Sequence, residues 1–237
     1  KSGLDRNVRF GVVGATAHFQ VGFDSSGDSP VAYGGHSAET INYVSCHDDL
    51  SLVDKLRASA PEGMTEEELV RFDKLAQTVV LTAQGIPSLF AGEEMLRTKG
   101  GVSNSHDSPD RVNRIDWSFK ADHKDVFDYY RGLIALRRTH PAFRLATAAE
   151  IERHLRFLDT GDTHVVAYRL VDHAGGDPWR EILVVYNGAR AEKRVRIPPG
   201  DWHAVCLDGR IASEALAVFS GDSVPVPASS ALIAYLP

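Results

Sequence analysis

The sequence predicts an α/β part followed by an all-β part, with the change near Pro141. Two observations carry this. Before Pro141, short apolar runs alternate with segments of helical periodicity, as in βα units. After it, β-prone runs are separated by Gly, Asp, Asn and Pro turns, and five or six short strands in about ninety residues predict an antiparallel β-sandwich. Two domains are therefore expected, over residues 1–143 and 144–237.

Residues 40–46 (TINYVSC) form a β-prone run that ends in the polar cluster His47, Asp48 and Asp49. A short helix is predicted over 51–58, and Pro61 and Gly63 break the chain after it. The clearest helix comes next. Thr65 and Glu68 form a capping box, in which each side chain satisfies a free N–H of the first turn. Leu69, Phe72, Leu75, Ala76, Val79, Val80 and Ala83 then recur at helical spacing and define one buried face. Gly85 closes that helix and Pro87 prevents its continuation. Residues 86–92 (IPSLFAG) are apolar without alternation, as in a parallel strand covered on both faces. A polar loop over 93–117 leads to a second amphipathic helix, 125–139. It is expected to bury Phe127, Tyr130, Leu133 or Ile134, and Leu136 or the stem of Arg137. Further on, strands are predicted at 154–158, 164–171, 181–186, 193–197, 202–206 and 231–236. The turns between them are at 159–161, 173–176, 187–188, 198–200 and 208–209. There is no internal repeat and no low-complexity tract.

Composition narrows the function classes. With 237 residues, 43% hydrophobic and 24% charged, the chain has the make-up of a soluble globular protein with a real core. No apolar run approaches the ~20 residues of a membrane-spanning helix. The net charge of −6 is dispersed, which argues against nucleic acid or an anionic membrane surface as partner. Cys46 and Cys206 are too few for a disulfide framework and are expected to be unpaired thiols. The histidines show no shared ligand spacing, so no metal site is predicted. Trp179 and Trp202 are expected to pack rather than to stack on sugars. Lys1 is not an initiator methionine, and residues 1–9 lack a signal-peptide pattern, so the chain is read as starting mid-protein.

The chemistry concentrates at His47, Asp48 and Asp49. At the C-terminal end of a strand, a carboxylate beside an imidazole could bind sugar hydroxyls, activate water or hold a metal. A solvated turn with Asp capping the next helix accounts for the dipeptide equally well. In a (β/α)₈ barrel, that strand end is where active sites are built.

The wider context is more specific. INYVSCHDDLSLVDKL resembles the region around the seventh barrel strand of α-amylase superfamily enzymes, in the form found in type I pullulanases. QGIPSLFAGEEMLRTKGGVSNSHDSPDRVNRIDW resembles their eighth strand and the loop after it. The resemblance covers about residues 40–117. It implies the C-terminal part of a (β/α)₈ TIM barrel, with strands seven and eight and flanking helices in 1–143, then a C-terminal antiparallel β-sandwich in 144–237. It implies that Asp48 is the third acidic residue of a glycosidase site, stabilising the oxocarbenium-like transition state. His47 would bind the same sugar, at subsite −1. Asp110 and Asn113 match positions that contact the sugar at subsite −2, and Asn104 is a further candidate. Hydrogen bonds of this kind, which strengthen in the transition state, add several kcal/mol to the work of the two principal carboxylates.

Two departures from the pattern stand out. His106 replaces a customary Tyr, and Asp49 stands where Asn is commoner. The second change puts like charges side by side, and these repel strongly where both are poorly solvated. The nucleophile and acid/base carboxylates, set about 5 Å apart in retaining enzymes, have no counterpart here. Arg144, Arg153 and Arg169 are not followed by the family's Arg-x-Asp pattern and nothing before Thr40 resembles it, so both are expected upstream. Glu93 and Glu94 are read as framework.

The expected parent is thus a glycoside hydrolase that cleaves α-1,6-glucosidic linkages in pullulan, glycogen or branched dextrins with retention. This chain alone would be inactive. The alternatives are an α-1,4-acting enzyme of the same superfamily and a non-catalytic carbohydrate-binding or packing fragment. The expected partners are an α-glucan oligosaccharide or polysaccharide and the missing N-terminal half of the same protein. Unpaired strand edges predict that the isolated chain self-associates or requires its missing N-terminal half. No cofactor is required; calcium could serve a structural role, but no motif indicates it. The resemblance favours a secreted or cell-surface bacterial location over the cytoplasm.

Overall fold

In the computed structural model, residues 3–22 and 32–237 are described. Residues 1–2 and 23–31, within the first expected domain, lie outside the described residues. The N-terminal part opens with α1 (Asp5–Val12), and a short strand β1 (Ile41–Asn42) follows. Helices α2 (Leu52–Ser59) and α3 (Glu66–Thr82) lead to β2 (Ile86–Pro87). β1 and β2 pair in parallel, Ile41 with Ile86 and Asn42 with Pro87, so the helices form the crossover between them.

Local chemistry sets these boundaries. The Ser51 hydroxyl caps α2 by accepting from the Asp54 N–H. Both halves of the Thr65–Glu68 capping box are formed, at 3.2 and 3.0 Å. Gly85 sits at φ +107°, and a Cβ there would lie 2.9 Å from the Asn42 side-chain nitrogen and 3.2 Å from the Thr40 carbonyl oxygen. Only glycine lets the chain leave α3 and run alongside β1. The Arg137 guanidinium donates to the carbonyls of Leu81, Ala83 and Gly85 at 3.1, 2.7 and 2.5 Å, serving the carbonyls that the end of α3 leaves open.

The predicted buried strand over 86–92 is corrected. β2 has two residues, and Ile86 is exposed. Pro87 offers no N–H, one further rung joins Ser88 N–H to the Asn42 carbonyl, and Gly92, at φ +98°, then turns the chain. The expected polar loop contains the short helices α4 (Asp110–Asn113) and α5 (Phe119–Asp122). Helix α6 (Lys124–Thr139) buries Val126, Tyr129, Tyr130, Leu133, Leu136 and Arg137. Tyr130, Leu133 and Leu136 are buried as expected, whereas Phe127 is only half-buried and Val126 and Tyr129 are inside instead. α3 also buries more than its apolar stripe, because Asp73, Lys74, Gln77, Thr78 and Thr82 are inside as well.

Helix α7 (Ala148–His154), capped by Thr147 and Glu150, precedes the sheet and was not predicted. The strands are β3 (Leu155–Leu158), β4 (Val165–Leu170), β5 (Glu181–Asn187), β6 (Lys193–Leu207), β7 (Arg210–Ile211), β8 (Ala217–Val226) and β9 (Ser230–Leu236). All pairings are antiparallel, in the order β3-β4-β5-β9-β6-β7, with β8 on β6. The predicted strands 193–197 and 202–206 are one bent strand. The predicted turn at 198–200 is the irregularity where pairing with β8 slips between Arg196 and Gly200. β8 was not predicted; Ser220, Gly221 and Asp222 interrupt its β-prone residues.

Alternation splits the sheet's apolar residues between two faces. Leu155, Phe157, Val166, Tyr168, Val184 and Ile233 join a core shared with α3 and α6. Val165, Ala167, Leu183, Val185 and Leu232 pack with Val195, Ile197, Trp202, Val224 and Val226. The 143/144 position lies in the turn Pro141–Arg144, and the first core continues across it. Trp202 is fully buried and donates to the Pro198 carbonyl at 3.0 Å. Trp179 is stacked on His140 at 3.6 Å and on Tyr235 at 4.1 Å. Cys46 and Cys206 are both free thiols.

Candidate functional site

Beyond β1 the chain makes a turn at His47–Asp49, with Asp49 in the left-handed region at φ +57°. His47 and Asp48 line one side of a cleft of about 240 Å³; residues 103–106 and Asn113 line the other. His47 Nε2 lies 3.5 Å from Asp48 Oδ2, and their side chains are 84% and 79% exposed. A contact so open contributes little to stability, which leaves both groups available to a ligand. Asp49 is exposed too, so the poor solvation required for strong Asp48–Asp49 repulsion is absent.

The opposite wall is held by its own hydrogen bonds. The Asn113 amide donates to the carbonyls of Ser105 at 2.7 Å and Ser108 at 3.2 Å. Its main-chain carbonyl accepts from Arg97, whose guanidinium lies 4.6 Å over the Phe90 ring. Gly92 is required here, since a Cβ would come within 2.7 Å of the Arg97 side chain. Asn104 Oδ1 and His106 Nδ1 are 2.9 Å apart, so His106 interacts within its own loop. The structure therefore brings His47, Asp48, Asn104 and Asn113 together. Asp110 is exposed at the start of α4, outside the cleft lining.

Behind the turn stands a set of buried polar groups that sequence reading did not connect to it. The Ser45 hydroxyl donates to Glu93, which also accepts from Gln77 Nε2 at 2.8 Å and from Phe90 N–H at 3.3 Å. Glu93 is buried, and burial pushes its carboxyl up to about 7 against the hydrogen bonds that favour ionisation. Asp54 accepts from Ser51 at 2.8 Å, Thr98 at 2.5 Å and the Lys99 N–H at 2.7 Å. Burial disfavours its charge, but these donors outweigh that and hold its carboxyl below the usual range. Lys55 Nζ donates to the Val44 carbonyl at 3.1 Å. Nothing in the spacing of these residues marks them; only the fold joins 45, 77 and 93.

Cys46, His47 and Asp48 each offer one donor atom, all within 4.8 Å of one another. The spacing search missed this group because the three residues are consecutive rather than spaced. Cys46 is half-buried, with its thiol 3.9 Å from the Asp48 carbonyl, while His47 and Asp48 are exposed.

A parallel strand pair, a His-Asp turn beyond it and an Asn-bearing loop facing that turn thus form one cleft. Comparison with known proteins gives the class of protein. A family model described as "Pullulanase, all-beta domain" matches residues 151–210. The pullulanase of Bacillus subtilis (strain 168) is 40% identical over 161 residues, which cover 68% of this chain and 22% of that protein. The solved pullulanase from Bacillus acidopullulyticus superposes with a TM-score of 0.88 at 41% identity, over 99% of this chain and 27% of that one. A Paenibacillus barengoltzii pullulanase, in complex with maltohexaose and alpha-cyclodextrin, gives 0.84 at 39% identity, over 100% of this chain and 34% of its own. The chain belongs to the pullulanase family and matches the C-terminal portion of its members.

Proposed function

We propose that the protein containing this chain hydrolyses α-1,6-glucosidic linkages in pullulan or branched dextrins, with retention, and that this chain supplies part of its −1 and −2 subsites. The observation that carries the reading is the pairing of His47 and Asp48 across one cleft from Asn104 and Asn113. An exposed carboxylate and imidazole on one wall can bind the hydroxyls of one sugar ring, and the amide-bearing wall can bind the next.

In this reading Asp48 neither attacks nor protonates. Its bonds to the ring hydroxyls strengthen as the sugar flattens towards an oxocarbenium ion, which lowers the barrier for the two carboxylates that form and break the glycosyl bond. His47 binds the same ring. Asp110, one helical turn before Asn113, meets the neighbouring sugar from the rim. No cofactor is required, and no motif calls for calcium.

The same reading makes β1 and β2 the seventh and eighth strands of a (β/α)₈ barrel and residues 144–237 a β-sandwich domain. Supporting it, Ile41, Tyr43 and Ile86 are exposed apolar side chains on or next to the strand pair. An apolar groove of about 470 Å³, lined by Leu4, Val8, Tyr43, Val79 and Ala83 among others, lies beside them. Further barrel strands and helices from the rest of the protein would cover both. The related enzymes make a secreted or cell-surface location the expectation. The rival in which Trp179 or Trp202 of the β-rich part binds sugar is disfavoured, since Trp202 is buried and Trp179 is stacked against both His140 and Tyr235.

The test is hydrolysis of pullulan with product sizing. Maltotriose from the full-length protein, lost on Asp48→Asn and absent with this chain alone, is the expected result. Release by this chain alone would sink the reading, because the principal carboxylates would then have to lie among Asp48, Asp49, Glu93 and Glu94.

A further inference from the structure

Lys99 is 2% exposed, yet it forms no ion pair among the described residues, where the paired lysines are Lys74, Lys124 and Lys193. Its ammonium donates to two main-chain carbonyls, that of His47 at 3.3 Å and that of Ser103 at 3.5 Å. A cation out of water is costly unless its hydrogen bonds and surroundings compensate, and a methionine would fill the same space without that cost. The two carbonyls belong to opposite walls of the cleft. The His47 carbonyl is part of the peptide that carries Asp48.

We propose that Lys99 is a positioning residue that sets the two walls of the cleft relative to one another and so fixes where Asp48 stands. Its own base is anchored. The Lys99 N–H donates to Asp54 Oδ2 at 2.7 Å, and the Thr98 hydroxyl donates to Asp54 Oδ1 at 2.5 Å. Asp54 lies in the first turn of α2, held there by Ser51. The ammonium is therefore located by the helix that follows the turn, and from there it binds the turn and the facing loop at once. Released, the His47–Asp48 peptide can rotate, and a shift of about 1 Å at a reacting group costs on the order of a hundredfold in rate. The catalytic consequence rests on the glucan-hydrolase reading above; the bridge itself does not.

The test is made in the full-length protein with Lys99→Met and Lys99→Arg. Amide exchange should rise about fivefold or more in peptides spanning 45–49 and 102–106, and stay unchanged across α6. On pullulan, Lys99→Met should lower kcat about tenfold or more while KM moves less than about threefold. Lys99→Arg, still able to donate to both carbonyls, should recover part of the loss. Wild-type exchange in both stretches overturns the proposal, as does a rise confined to one wall or spread across α6. A wild-type kcat in Lys99→Met overturns the catalytic consequence. If the wild-type protein leaves pullulan intact, the substrate reading fails while exchange still decides the bridge. Should Lys99→Met not fold, Lys99→Gln is read by the same two measurements.

Discussion

Asp73 offers a quantitative check on the buried polar face of α3. The residue is 1% exposed, and its Oδ1 accepts from the Tyr130 hydroxyl at 2.7 Å. Among the described residues its Oδ2 has no partner, and neither has Oε1 of Gln77, one helical turn further along the same helix. Residues four apart share a helix face, so a single proton on Asp73 Oδ2 can give both orphaned acceptors a bond. Burial, with the nearby Glu93 charge, pushes the Asp73 carboxyl up to about 8, against the opposing pull of Tyr130 and Lys74.

The sign follows from linkage. Folding raises the Asp73 pKa above its unfolded value, so its favourable contribution is complete below the unfolded pKa of 3.8 and is lost as pH rises towards about 8. Within that window the loss is about 1.4 kcal/mol per pH unit. Asp73→Asn keeps the size, still accepts from Tyr130, places an amide N–H against Gln77 and cannot ionise. Relative to wild type, the variant should therefore gain about 3 kcal/mol between pH 5 and pH 7. For a chain of this size that widens the Tm difference by about 5–10 °C. Thermal unfolding of both proteins at pH 5, 6 and 7 measures it, and the histidines titrate in both and cancel in the difference. A Tm difference constant over those pH values would mean that Asp73 is ionised in the folded protein, and the argument from the orphaned pair would fail.

Two further outcomes follow from the packing. Gly132 lies inside α6, where alanine would ordinarily add stability. Here a Cβ would overlap Cγ2 of Ile211, so Gly132→Ala should instead cost about 1–3 kcal/mol and be partly rescued by Ile211→Ala. Denaturation of the single and double variants checks this, and additive costs would refute the contact. The isolated 237-residue chain should self-associate through the exposed surface around Ile41, Tyr43 and Ile86, while the full-length protein should not. Light scattering showing a clean monomer for the isolated chain would count against that.

What could be read from the sequence was what repeats locally. Thr65-x-x-Glu68 marked its helix correctly, and Thr147-x-x-Glu150 forms the same capping box at the start of α7, which was not predicted. β8 escaped because Ser220, Gly221 and Asp222 have turn chemistry, although they lie within a ten-residue strand paired along β6. His47 and Asp48 were found as a dipeptide. Their grouping with Asn104 and Asn113 came from family resemblance, since no local rule joins residues more than fifty positions apart.

The deepest miss concerns α3, and its cause is physical. Hydrophobic periodicity assumes a helix with one wet face, so Asp73, Gln77, Thr78 and Thr82 were left to solvent. α3 instead packs against α6 on one side and α1 and α2 on another. Its polar residues are inside, and each must find a partner there. Thr78 meets Tyr129 at 2.7 Å, Thr82 meets Tyr186 at 2.5 Å, and Gln77 reaches Glu93. Glu93 in turn holds Ser45, two residues before His47. Gln77 thus connects the helix to the turn carrying Asp48, while Thr78 and Thr82 tie it to Tyr129 of α6 and Tyr186 of β5. Replacing Gln77 with leucine would improve the pattern on a helical wheel and remove one of the bonds that hold Glu93 behind the turn.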